Sequence, residues 1–167
     1  MIKTAIAAAA VLSLAGAAQA QDEVSRWFGQ VTKTDAFLTF GLPDSDEVEL
    51  SLSCTRKTGQ IRIFFPVETR LADRLRGSTW LDKVGRPAPW PVSVTVASGA
   101  QSTTVRGQAD ANEMSGGSSV TVELSERAPV LQEFAKTGAL RLSAVGETVA
   151  SPNAPKGEAR KLVRSCR

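Results

Sequence analysis

Apolar residues recur at every second position through most of the chain, and that spacing is the signature of strands with one buried face. Val48, Leu50, Leu52 and Cys54 alternate with Glu49, Ser51 and Ser53, and after a turn over Thr55–Gln60 that contains Gly59, the alternation resumes in Ile61, Ile63 and Phe65. The pair predicts a hairpin with Cys54 facing inward. Val92, Val94 and Val96, the Ser98-Gly99 turn and a strand near Ser102–Arg106 predict a second hairpin. Val120, Val122 and Leu124 form a further set, Leu38 with Phe40 and Leu140 with Leu142 weaker ones, and Trp27–Val31 a strand near the start. The fold class expected is mostly β, an antiparallel β-sandwich or barrel of about seven or eight strands with one to three short helices.

The helical period marks three places. Pro129 stands where a helix can begin, Val130, Leu131 and Phe134 make an apolar stripe, and Gly138 can supply a left-handed stop. Leu71, Ala72 and Leu75 suggest a helical turn. Ala159, Leu162, Val163 and Cys166 fall on one face, with Arg160, Lys161 and Arg164 on the other, and predict a C-terminal amphipathic helix. A closing strand is the alternative there. Residues 146–158, with Pro152 and Pro155, are poor in large apolar side chains and read as a surface connector.

The N-terminus changes the setting of this fold. Met1-Ile2-Lys3 is a short basic start, Ala5 to Ala18 is almost continuously apolar, and Ala18-Gln19-Ala20 has the small-x-small form that signal peptidase accepts. Residues 1–20 are therefore expected to be a cleaved secretory signal. Residues 21–167 would form a single β-rich domain, periplasmic or secreted, with no transmembrane segment after cleavage. In an oxidising compartment the two cysteines, Cys54 and Cys166, are expected to pair and to close this domain with one disulfide.

Composition narrows the chemistry. The chain has no histidine, so Ser-His-Asp, Cys-His and histidine-ligated zinc sites are impossible, and no tyrosine. Lys57-Thr58-Gly59 and Lys136-Thr137-Gly138 match one element of penicillin-binding enzymes, but no serine has lysine three positions later. The acidic cluster Asp44, Asp46, Glu47 and Glu49 lacks the glycine and glutamate register of a calcium loop. Neither a metal nor another cofactor is expected. The formal charge of +3, part of it on Lys3 in the signal, gives little reason to expect nucleic acid.

Two segments are candidate contact surfaces. Trp80 and Trp90 bracket a proline-containing stretch with Lys83 and Arg86, in which the indoles could anchor a protein or stack on a glycan. Asn112, Glu113 and Met114 lie in a polar, glycine-rich connection between strands. Both could equally be structural: the tryptophans could plug an end of the fold, and a hairpin loop needs no ligand. Cys54, Gly59 and Ile61-Arg62-Ile63, with the late Cys166, are similar to the cysteine-linked hairpin of bacterial inhibitors of C-type lysozyme. That resemblance implies a small, exported, disulfide-tied β fold and assigns no site residue. The function expected is that of an exported, non-enzymatic binding or envelope-interaction protein, its partner an envelope protein or glycan. A hydrolase inhibitor is the alternative, and a histidine-independent hydrolase using carboxylates or a Ser-Lys pair a further one.

Overall fold

The computed structural model describes residues 24–167, so the signal expected over residues 1–20 lies outside the described residues. In chain order the strands are β1 (Arg26–Val31), β2 (Asp35–Gly41), β3 (Val48–Thr55), β4 (Gln60–Val67), β5 (Arg74–Arg76), β6 (Thr79–Leu81), β7 (Trp90–Ser98), β8 (Gln101–Ala111) and β9 (Ser118–Ser125). Helix α1 (Pro129–Thr137), β10 (Arg141–Ala144), β11 (Glu147–Ala150) and helix α2 (Lys156–Cys166) follow. Nine strands make one antiparallel sheet in the order β1-β2-β3-β4-β9-β8-β7-β10-β11, curled into a half-barrel, while β5 and β6 form a separate ribbon.

The alternation seen in the sequence decides which face is covered. Leu50, Leu52, Ile61, Ile63, Phe65, Val94, Val96, Val120 and Val122 all point to one face and are buried, together with Cys54. Both helices lie on that face, α1 over β7 and β8, α2 mainly over β2, and they pack against each other. Phe134 and Leu131 of α1 and Leu162 of α2 are almost wholly buried, each stabilising the fold by roughly 1.5–3 kcal/mol. Helix α1 has Pro in its first turn and stops at Gly138, whose φ of 75° and N–H bond to the Phe134 carbonyl make a left-handed cap. A Cβ there would stand 2.0 Å from the Ala154 carbonyl oxygen, so glycine is required on two counts.

The C-terminus is locked beside the β3–β4 turn. Cys54 and Cys166 form the expected disulfide across a sequence separation of 112. Gly59 donates its N–H to the Cys166 carbonyl at 2.9 Å, and its own carbonyl accepts from Glu126 at 3.0 Å. The buried Glu126 carboxylate lies 3.2 Å from Arg127 and 3.8 Å from Arg167. The outer edges of the sheet also meet through a side chain. Trp27 packs on Phe40 with ring centroids 5.5 Å apart, and its indole N–H donates to the Pro152 carbonyl at 2.7 Å, tying β1 to the segment after β11.

The fold class is as expected, mostly β, antiparallel and barrel-like with two short helices, and the structure corrects its details in three places. There are more strands than the seven or eight expected, because the short ribbon β5–β6 and the edge strand β11 carry almost no apolar alternation. Leu71, Ala72 and Leu75 do not form a helical turn: the Leu71 N–H is bound by the Ser118 hydroxyl at 3.1 Å, and Leu75 pairs with Trp80. Residues 147–150 of the expected connector are paired with β10 in register Arg141↔Ala150 to Ala144↔Glu147. One interruption in the main sheet is also relevant below. β8 pairs with β7 from Ala109 back to Gln101, but with β9 only over Gln108–Ala111.

Candidate functional site

The end of the half-barrel opposite the disulfide is built from residues 67–90 and from the β8–β9 connection. After Val67 the chain leaves the sheet and is pinned at once. Glu147 of β11 accepts from the Glu68 N–H at 2.9 Å, the Thr69 N–H at 2.6 Å and the Thr69 hydroxyl. Ser118 at the start of β9 donates to the Thr69 carbonyl at 2.8 Å. The Thr69 hydroxyl and Glu68 amide hold the Glu147 carboxyl below the usual carboxylate range, with the Thr69 amide adding to them and partial burial opposing. The ribbon then turns at Gly77-Ser78, with Arg76 opposite Thr79 and Leu75 opposite Trp80.

The stretch between the two tryptophans is held by one carboxylate. Asp82 is buried and accepts from the Val84 N–H at 3.0 Å, the Arg86 N–H at 2.8 Å and the Arg86 Nε at 2.7 Å. Burial works against its ionisation, but the Arg86 amide and guanidinium outweigh it and leave the carboxyl below its ordinary range. Ala88 donates to the Trp80 carbonyl and Trp90 Nε1 to the Arg86 carbonyl, at 2.9 and 3.0 Å. Trp90 is thus a structural plug, 3% exposed, and offers no contact surface; Arg86 is committed to Asp82. Lys83 is exposed.

Trp80 is where the two candidate segments meet. Its indole N–H donates to Glu113 Oε1 at 2.7 Å across 33 residues of sequence, and Arg70 lies over its ring at 5.6 Å from the centroid. Asn112 organises the other loop by accepting the Met114 and Ser115 amides at 3.1 and 3.2 Å. Gly117 lets that loop approach the sheet: a Cβ there would lie 2.1 Å from the Val67 carbonyl oxygen. Leu75, Val84 and Met114, exposed by 52%, 75% and 79%, all sit at this end. The sequence reading placed Leu75 in a helical turn and did not single out Val84, although Gly77-Ser78 between Arg-Leu-Arg and Thr-Trp-Leu is a two-residue hairpin signal.

Of the residues singled out from the sequence, Trp80, Glu113 and Met114 are brought together, Lys83 and Arg86 occupy the adjoining turn, and Asn112 and Trp90 support them from beneath. Among the described residues no group of three or more acidic or cysteine side chains is placed to hold a metal ion. No described helix is long and apolar enough to cross a membrane. No protein family, curated protein or solved structure matches the chain.

Proposed function

We propose that this is an exported, non-enzymatic binding protein that recognises a protein of the cell envelope through its ribbon end. The observation that carries this reading is the Trp80–Glu113 bond, which fuses two distant loops into one preorganised surface edged by the exposed Leu75 and Met114. Exposed apolar groups on a rigid, cation-rich base are what a protein interface uses, since little conformational freedom is lost on docking. The signal-like N-terminus and the formed disulfide agree with an oxidising, extracytoplasmic setting.

The most firmly held carboxylates favour binding over hydrolysis. Asp82 and Glu147 are engaged by backbone amides, and Glu126 by two arginines, so each is occupied as an acceptor. The exposed tip Arg76-Gly77-Ser78 also supports a more specific form of the reading, in which the ribbon enters the cleft of a hydrolase as an inhibitor. Crosslinked capture from envelope extract tests the general reading. A Leu75→Ser, Met114→Ser protein should lose its partner while Lys161→Ser, on the solvent face of α2, keeps it. Equal recovery by all three proteins would refute the ribbon surface, and inhibition assays on captured hydrolases separate the two forms.

A further inference from the structure

The seam between β8 and β9 stops short, and the geometry of the stop defines a second site on a different surface. Asn112 donates its N–H to the Gly117 carbonyl at 3.1 Å, which makes this a hydrogen-bonded pair. In an antiparallel ladder such pairs recur every second residue, so Asp110/Ser119 and Gln108/Thr121 follow, and Arg106/Glu123 would be next. Pairing ends at Gln108↔Thr121. Yet β8 stays in register with β7 as far as Gln101, and β9 with β4 as far as Ser125. Two well-held strands therefore diverge like the arms of a fork. By the same two-residue alternation Ser102, Thr104 and Arg106 turn their amides and carbonyls away from β7 into it, and Glu123 does so from the other arm.

Gly107 stands at the pivot. A Cβ there would lie 2.7 Å from a Val94 methyl and 2.8 Å from the Thr121 carbonyl oxygen, so the close approach at the crotch of the fork needs glycine. On the solvent face a groove of about 900 Å³ runs over the last paired residues to the mouth of the fork at Arg106, walled by Arg62, Phe64, Arg106, Asp110 and Glu123 among others. Arg62 already binds Glu123 at 2.9 Å and Asp110, at the paired end, accepts from the Ala111 amide at 2.8 Å, whereas Arg106 is exposed and has no carboxylate within ion-pair distance among the described residues. Free donors and acceptors at strand spacing are complementary to one thing, an extended polypeptide. A cation left unpaired beside them selects a carboxylate on it.

We propose that the fork between β8 and β9 binds an extended, carboxylate-bearing peptide segment of a partner protein, by strand addition to the Ser102–Arg106 edge of β8. Main-chain bonds to Ser102, Thr104 and Arg106 hold the segment, the Arg106 guanidinium reads its acidic side chain, and Phe64 offers an apolar contact beside it. This site stands independently of the ribbon surface.

The probes are three end-blocked heptapeptides added to the purified, oxidised protein: Thr-Val-Thr-Glu-Thr-Val-Thr, the same peptide with Gln for Glu, and the Glu peptide N-methylated at alternate amides. In the free protein the amides of residues 102, 104 and 106 should exchange with solvent much faster than those of 103 and 105. The Glu peptide should bind saturably, shift the amide signals of 102, 104, 106 and 123, and slow their exchange. The Gln peptide should bind roughly tenfold more weakly, as expected for the loss of one charge-assisted hydrogen bond. Arg106→Gln should abolish that preference without altering the melting temperature, and N-methylation of the edge-facing amides should abolish binding. Equal exchange at 102–106 in the free protein, dimerisation through this edge, no saturation up to millimolar peptide, undiminished binding of the N-methylated peptide, or shifts confined to β1 or β11 would each overturn the proposal.

Discussion

At one end of the half-barrel Cys54 is bonded to Cys166 and two helices bury Leu131, Phe134, Leu162 and Val163 against the sheet, whereas at the other a ribbon stands on Glu147, Ser118 and Asp82 with few apolar groups beneath it. β4 runs from one end to the other, Gln60 beside the disulfide turn and Val67 at the base of the ribbon. The difference teaches how a small disulfide-tied fold can be stable and still leave Leu75, Val84 and Met114 in water. Covalent and apolar terms are concentrated at the helix end. Hydrogen bonds to carboxylates, which fix direction but bury little, are concentrated at the ribbon end, where the proposed contact surface lies.

The comparison is broken most severely at the helix end. Replacing Cys54 and Cys166 by serine removes a long cross-link, which the chain-entropy model values at up to roughly 4–5 kcal/mol. The expected result is a large fall in the denaturation midpoint, together with early protease cleavage within residues 151–167, ahead of the sheet. If those residues are as resistant in the reduced protein as in the oxidised one, the disulfide does not lock α2. Phe134→Ala should cost about 3–5 kcal/mol, the value for emptying a fully packed aromatic site. Neither change should alter the exchange of the 84–86 amides under conditions where the sheet is still folded.

Legibility in the sequence follows the same division. The alternation in Val48–Cys54, Ile61–Phe65, Val92–Val96 and Val120–Leu124 located β3, β4, β7 and β9, and the stripes at Val130–Phe134 and Ala159–Cys166 located both helices, because each buries one face. The ribbon buries almost nothing on β5, so periodicity had no contrast to show, and the Leu71–Leu75 spacing imitated a helix. Trp80 and Glu113 were each suspect on composition, but their contact depends on where β9 returns beside β4, which no local pattern encodes. For Trp90 the sequence left contact and plug both open, and the plug is what the structure has: it begins β7 opposite Ala109 and is buried.

Acid should act on the ribbon end first. Asp82 and Glu147 both have native carboxyls below their ordinary range, so their contribution is fully present above the unfolded-state pKa and is lost as pH falls through the depressed native values. Lowering the pH from neutral should therefore release the Thr69 and Arg86 amides, followed by their chemical shifts and exchange, before the helices and sheet unfold. Glu147→Gln should imitate half of this at neutral pH, freeing residues 68–71 at a cost of about 1 kcal/mol, a modest value because the site is open to solvent on one side. Cooperative loss of both ends in one transition would show that the ribbon is not a separate unit.

The smallest effect is the most discriminating, because it concerns the link on which the proposed recognition surface depends. Trp80→Phe keeps an aromatic ring for Arg70 to cover but removes the indole N–H that Glu113 accepts; Glu113→Gln keeps an acceptor without the charge; Glu113→Ala removes it. A double-mutant cycle between Trp80→Phe and Glu113→Ala should give a coupling of about 0.5–1 kcal/mol, the range for one partly exposed hydrogen bond to a charged acceptor. Such a term is too small to change the fold, so melting temperature should hardly move in any of these proteins. Exchange across residues 112–117 should nevertheless quicken in each Ala or Phe variant and only slightly in Glu113→Gln, since the amide oxygen still accepts. Should the coupling vanish while partner capture survives, the two loops act separately and the surface is assembled on docking. Coupling that persists with capture lost in Trp80→Phe identifies preorganisation as what the indole contributes, because the apolar contacts Leu75 and Met114 remain in place in that variant.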